Sequence, residues 1–183
     1  MTIAAPTVRP KKRVSLGFWP SETQKQFLAS TTKYTAFGGA RGGGKSWSIR
    51  TKADMLAYEY PGIRILIVRQ TYAELDRNHI QPLRKQLFGR AKYNGTDKIF
   101  SYPNGSTISF MYCRNDADLN KLQGAEYEII FIDEATLLTE YQIKEIAACM
   151  RAVNYYPKRM YLTCNPGGPS HQYIKRVFVD RAF

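Results

Sequence analysis

Eight residues limit what this chain can be more than any other feature. Gly39-Ala40-Arg41-Gly42-Gly43-Gly44-Lys45-Ser46 follows the Walker A pattern of a glycine, four residues, then Gly-Lys-Ser. The surroundings fit. Tyr34 to Phe37 reads as a short strand ahead of it. Lys45 to Tyr58 reads as a helix behind it, with Ile49, Ala53, Leu56 and Ala57 on the apolar side. Glycines let the chain curl so that successive amides face a phosphate, and the helix N-terminus adds a favourable dipole. Gly39, Gly42, Gly43 and Gly44 are therefore candidates for a phosphate cradle. Arg41, inside the loop, is placed to contact phosphate or a neighbouring subunit. Lys45 is expected to reach the β- and γ-phosphates and Ser46 to bind Mg²⁺. The cofactors so implied are ATP and Mg²⁺. The bland alternative is a glycine-rich turn before an ordinary helix.

A second signal supports the nucleotide reading. Ile129-Ile130-Phe131-Ile132 is an apolar, β-branched run that ends in Asp133-Glu134. At a strand tip, Asp133 can hold the magnesium shell directly or through water. Glu134 can polarise a water for attack on the γ-phosphate. Kinases of small molecules do not need this second acid, so the pair favours hydrolysis over transfer. Taken alone, it could equally cap a helix.

Other polar residues have less specific settings. Tyr161-Leu162-Thr163-Cys164-Asn165 brings polar groups to a third strand end, where ligands of open parallel sheets sit. Asn165 could hold the attacking water or sense the γ-phosphate, or it could merely open the Asn-Pro-Gly turn. Cys164 reads as packing. Trp19 could stack on adenine and Gln24 could read its amino edge, or the aromatic pair Phe18-Trp19 could anchor the chain end. Arg69 could link a loop to the sheet. Tyr58, Tyr60, Tyr155 and Tyr156 suit either base stacking or helix-edge packing.

A coarse pass along the chain alternates strands with helices. Ser21 caps a short helix over Glu22 to Ser30. Ile63 to Val68, Glu128 to Ile132 and Arg159 to Thr163 read as buried strands. Tyr72 to Phe88 reads as a helix that Pro82 should kink or split. Ile99 to Ser101 and Thr107 to Tyr112 flank Pro103-Asn104-Gly105, a hairpin turn. Glu140 to Val153 is helical, and His171 to Phe178 opens a further element. The pattern predicts an α/β domain with a mostly parallel central sheet flanked by helices and an inserted β-hairpin.

Composition narrows the class. The 183 residues carry a net charge of +12, and 44% are hydrophobic. That is enough apolar material for one full core. Three cysteines without metal-site spacing make neither a disulfide framework nor a zinc site, and a reducing compartment is the simplest reading. No apolar run is long enough to span a membrane. The charge is concentrated: residues 1 to 52 hold 10 basic residues and 1 acidic one. Residues 1–20 read as a basic N-terminal arm that either attracts a nucleic-acid backbone or is a solvated tail. Residues 21–183 read as the P-loop domain.

Together these motifs resemble the ATPase domain of viral terminase large subunits, the DNA-packaging motors of tailed bacteriophages. The resemblance rests on Phe18-Trp19-Pro20 with Gln24, on Gly38 to Ser46, and on Ile67-Val68-Arg69-Gln70-Thr71. It continues with Leu122-Gln123-Gly124-Ala125-Glu126-Tyr127, Ile132-Asp133-Glu134-Ala135 and Leu162-Thr163-Cys164-Asn165-Pro166. It implies an ASCE-type P-loop NTPase in which Lys45 and Ser46 are the Walker A pair, Asp133 the Mg²⁺ ligand and Glu134 the catalytic carboxylate. Gln24 would recognise adenine, and Thr163-Cys164-Asn165 would couple hydrolysis to movement. The implied partners are double-stranded DNA, a portal protein, a small terminase subunit and further copies in a ring, usually pentameric. The implied setting is the host cytoplasm, with transient docking at the prohead portal and absence from the mature virion.

Two departures stand out. Some members carry an arginine, acting across the subunit boundary, where this chain has Gln123; Arg41 and Arg114 are the substitutes the sequence offers. The family's C-terminal nuclease domain has no counterpart in these residues, so a fragment cut short at its C-terminus is expected, with weak activity on its own. A helicase-like or repair ATPase and a nucleotide-binding module with little turnover are the competing readings.

Overall fold

The structure, a computed structural model, describes residues 19–39 and 42–181. The strands are β1 (Tyr34–Gly38), β2 (Arg64–Arg69), β3 (Lys92–Asn94), β4 (Ile99–Ser101), β5 (Thr107–Tyr112), β6 (Ile129–Ile132) and β7 (Arg159–Cys164). Among the described residues they form one sheet in the order β1-β7-β6-β2-β5-β4-β3. The first five in that order run parallel, and β4 and β3 add antiparallel at the far edge. The sheet is thus mostly parallel with an inserted hairpin, as the sequence pattern implies.

The parallel strands are apolar along their whole length because helices cover both faces. Side chains alternate between faces with period two. Ile65, Ile67, Ile129, Phe131 and Tyr161 pack on one side with α1 (Glu22–Ala29) and α2 (Lys45–Glu59). Leu66, Val68, Ile130, Ile132 and Leu162 pack on the other with α5 (Glu140–Ala148) and α6 (His171–Phe178). Phe131 stacks on Tyr161 with centroids 5.0 Å apart. No described helix is long and apolar enough to cross a membrane.

Helix starts follow local chemistry. Ser21 and Gln24 form a reciprocal capping box on α1, as do Thr139 and Gln142 on α5. Lys52, on α2, is buried and donates to the carbonyls of Phe27, Leu28 and Ser30, closing the C-terminal end of α1. That lysine locks α1 against the helix that follows the glycine loop.

Two expectations need correction, and one strand goes unpredicted. The helix expected over 72–88, with a kink or split at Pro82, runs from α3 (Tyr72–Leu75) through a π-turn (Asp76–Ile80) into α4 (Gln81–Gln86). Leu75, Asp76, Ile80 and Gln81 all keep right-handed helical backbone, so the helix widens ahead of Pro82 and is not split. The helix expected to reach Val153 stops at Ala148, where Cys149 and Met150 tighten to three-residue bonds on Ile146 and Ala147. Beyond that point Asn154 turns back to donate to Glu128. The edge strand β3, only three residues long, carries no pattern that periodicity can detect.

Candidate nucleotide site

The carboxyl ends of β1, β7, β6 and β2 converge on one rim of the sheet, and each delivers polar groups there. β1 runs into the glycine loop. Gly44, at the N-cap of α2, has φ 69°, which favours glycine, and it caps no amide with a side chain. Gly39, Gly42 and Gly43 are exposed. Lys45 is buried, and its Nζ donates to the Gly39 carbonyl at 2.8 Å, so the lysine folds over its own loop. Ala40 and Arg41 lie outside the described residues, as do Phe18 and the rest of the arm to residue 18.

Gln24 reaches this loop from α1. Its Oε1 accepts from Ser21 N at 2.8 Å and its Nε2 donates to Gly43 O at 3.4 Å. A Cβ on Gly44 would come within 2.3 Å of that Nε2. Both ends of the amide are therefore engaged within the chain, and Gln24 sits as a tether of the loop. Trp19 is 93% exposed, and Phe18, the other half of the aromatic pair that could anchor the chain end, lies outside the described residues.

β6 delivers the acidic pair. Asp133 is 1% exposed and accepts from four directions. Ser46 Oγ donates to its Oδ2 at 2.8 Å, joining the glycine loop to the acidic strand across 87 residues of chain. Arg69, at the end of β2, donates to the same oxygen, and His79 Nε2 lies 2.8 Å from it. The Thr163 hydroxyl donates to Oδ1. Burial alone would raise the Asp133 pKa; the contacts from His79, Arg69 and Thr163 outweigh it and hold the group well below the usual carboxylate range. His79 is itself pushed down, first by burial and then by Arg50 and Arg69, with Asp133 opposing. Asp133 is thus held as the carboxylate by the donors that surround it, His79 first and then Arg69 and Thr163.

Glu134 has φ 55° and ψ 49°, a left-handed conformation uncommon for a residue with a side chain. Its amide donates to Thr163 Oγ1 at 3.0 Å, so one hydroxyl holds both acids in register. Arg69 pairs with the Glu134 carboxylate at 3.0 Å and with Glu74 at 3.5 Å.

β7 delivers Asn165. Its Nδ2 donates to Glu134 Oε1 at 3.2 Å, while its Oδ1 is buried without a partner among the described residues. Its carbonyl accepts from Thr136 at 3.0 Å. The loop that follows lies against the acidic turn so closely that a Cβ on Gly168 would come 2.2 Å from the Thr136 carbonyl oxygen. Cys164 is buried, and burial, with Lys45 opposing, pushes its thiol up to about 12. An inert packing residue is what that describes.

Lys45, Ser46, Asp133, Glu134 and Asn165 thus share one rim with Gly39, Gly42, Gly43, Gly44 and Gln24. Arg114 and Gln123 are exposed and lie after β5, outside this network. Tyr60 and Tyr156 pack edge-on at 5.7 Å, whereas Tyr58 and Tyr155 are exposed. Sequence reasoning underrates one participant and misses another. Arg69 looks like an ordinary strand-end arginine until it is seen bridging both acids. His79 falls inside an apparently regular helix, and only the π-turn carries it to Asp133. The one available signal is that it is one of just two histidines in the chain.

Residues 36–178 match the family model for terminase large subunits, T4likevirus-type, N-terminal. The chain belongs to that family. Solved terminases share its fold. A large terminase from a thermophilic bacteriophage is 20% identical with a TM-score of 0.74, over 88% of this chain and 42% of that one. The same protein in complex with ATP-gamma-S gives 0.71. The ATPase domain of the Thermus phage P74-26 large terminase is 18% identical with a TM-score of 0.65, over 84% of this chain and 67% of that one. The HK97 bacteriophage large terminase is 12% identical with a TM-score of 0.67, over 90% of this chain and 37% of that one. This terminase chain therefore spans less than half the length of the first of these proteins and of the HK97 protein. No curated protein matches its sequence significantly.

Proposed function

We propose that this chain is the ATP-hydrolysing motor domain that drives double-stranded viral DNA into a prohead. One observation carries the reading: the 2.8 Å bond from Ser46 Oγ to Asp133 Oδ2, which sets the phosphate loop beside the acidic pair. A thermophilic-phage terminase of the same fold was captured with ATP-gamma-S. Here the loop amides and Lys45 would bind the phosphates. Lys45 would exchange the Gly39 carbonyl for phosphate oxygens. Glu134 would accept a proton from the attacking water, and the unpartnered Asn165 Oδ1 would accept that water's second hydrogen. Gln24 keeps the loop curled, and reading adenine would require its amide to leave Ser21 or Gly43.

The donor set suits Mg²⁺. Ser46 and Asp133 offer hard oxygens, and among the described residues no group of three or more His, Cys, Asp or Glu could hold a metal alone. An ion held partly by nucleotide phosphates needs only one or two such oxygens. Because Ser46 donates its proton to Asp133, its lone pairs are left for the metal. Asp133 Oδ2 already accepts from Ser46, Arg69 and His79, which suits that oxygen to the outer shell, while Oδ1 accepts only from Thr163. When bound, Mg²⁺ would neutralise phosphate charge.

In this arrangement Glu134 is paired with Arg69 and Asn165, which favours slow turnover by a lone domain. Portal, small terminase subunit, duplex DNA and neighbouring copies in a ring are the partners we propose for the active motor, in the host cytoplasm at the prohead portal. Arg41 remains the proposal for contacts across the ring. The test is a packaging reaction with proheads, in which duplex DNA becomes nuclease-resistant only with ATP. Protection supported equally by the Glu134→Gln protein would overturn the proposal.

A further inference from the structure

Asp133 is held by donors of two kinds. Ser46 and Arg69 belong to groups that a nucleotide would engage or whose other contacts are shared: Arg69 also faces Glu134 and Glu74. His79 is different. It is fully buried, and its backbone belongs to the π-turn, a feature concentrated at functional sites because it re-aims a side chain without ending the helix. That turn is fastened to the phosphate-loop helix, since Arg50 of α2 donates to the Asn78 carbonyl.

An ionised carboxylate can only accept, so the 2.8 Å contact puts a proton on His79 Nε2. Its Nδ1 is buried with no partner among the described residues. The ring thus aims one N–H at one carboxylate oxygen.

We infer that His79 is a positioning residue for the metal-side carboxylate, holding Asp133 in one rotamer from the π-turn while Ser46 and Arg69 rearrange around bound nucleotide. This rests on the nucleotide-site reading above. The π-turn, α2 and β6 would then move as one block, with Asp133 kept on Oδ2 by His79 and on Oδ1 by Thr163.

The test compares wild type with His79→Phe and His79→Leu, which lack a donor, and with His79→Gln, whose amide nitrogen can replace Nε2. ATP binding is titrated calorimetrically at a series of Mg²⁺ concentrations and in EDTA, with thermal unfolding recorded for each protein. Whichever donor-less variant is folded should need about 10-fold more Mg²⁺ for half-maximal enhancement of binding, the scale of outer-shell losses at metal sites. Its binding in EDTA should be unchanged, and His79→Gln should restore most of the Mg²⁺ dependence. Unchanged Mg²⁺ dependence in a folded donor-less variant would overturn the inference. So would an equal shift in His79→Gln, or a parallel loss of binding in EDTA, which would mark a general packing role. A wild-type protein that binds no ATP at any Mg²⁺ concentration would instead overturn the nucleotide-site reading itself.

Discussion

Asn165 Nδ2 donates to Glu134 Oε1 across 3.2 Å, joining the end of β7 to the second acid after β6. The amide's other end, Oδ1, is buried with no partner among the described residues. A buried acceptor without a protein partner calls for an explanation, and holding a water supplies one. Asn165→Ala should leave ATP binding within about twofold and slow hydrolysis about 10²-fold, as for loss of one preorganised polar group. Steady-state phosphate release alongside titration calorimetry reads both. A drop in affinity equal to the drop in rate would place Asn165 in ground-state binding instead.

The left-handed backbone at Glu134 gives a stability prediction that is independent of catalysis. Glu134→Gly and Glu134→Ala both remove the carboxylate, yet only glycine escapes the steric cost of that conformation. The glycine variant should be the more stable of the two by about 1 kcal/mol in urea unfolding. Equal stabilities would mean that the turn relaxes when the side chain is lost.

These two residues show what the sequence makes legible and what it hides. The glycine loop, the apolar run into Asp133-Glu134 and the Thr163 to Asn165 strand end are local patterns. Covalent geometry and period-two burial convert them directly into strands ending at one rim. The contacts among them are not local. Arg69 meets both acids only because β2 lies beside β6 in the sheet, an order that periodicity does not encode. His79 depends on one widened turn whose residues look helical to any pattern test. Gln24 is legible as a capping-box residue from Ser21, but its hold on Gly43 requires the packing of α1 on α2.

That packing is testable at Gly44. A methyl group there would meet Gln24 Nε2 at 2.3 Å and would also sit at a positive φ. Gly44→Ala should destabilise the fold by about 1 kcal/mol or more. In a Gln24→Ala background the penalty should shrink, because the clash is gone and only the backbone strain remains. A double-mutant cycle should give a coupling of roughly 0.5 kcal/mol or more. Additive penalties would show that Gln24 swings aside freely and does not tether the loop.

Lys52 supplies a pH prediction. Burial first, then the charge of Arg159, with Glu59 opposing, pushes its ammonium pKa down to about 8 from 10.5. Between those values the unfolded chain holds a proton that the folded chain has released. Stability therefore rises with pH across that window, by at most about 1.4 kcal/mol per pH unit, and this contribution is flat below pH 8. The wild-type minus Lys52→Met difference, from chemical unfolding between pH 7 and 10, isolates this slope from other titrating groups. A difference that falls with pH would show that the three carbonyls of α1 stabilise the ammonium more than burial penalises it.

The account depends most on Glu134 acting as the base of an ATP-hydrolysing site. The direct measurement is phosphate release by Glu134→Gln in the assembly with the highest wild-type turnover, at Mg·ATP concentrations that calorimetry shows to be saturating for both proteins. The account predicts retained binding with turnover reduced about 10²-fold or more, because an amide cannot take the water's proton. Turnover within about twofold of wild type would contradict it, since the loss of a general base is worth far more than that.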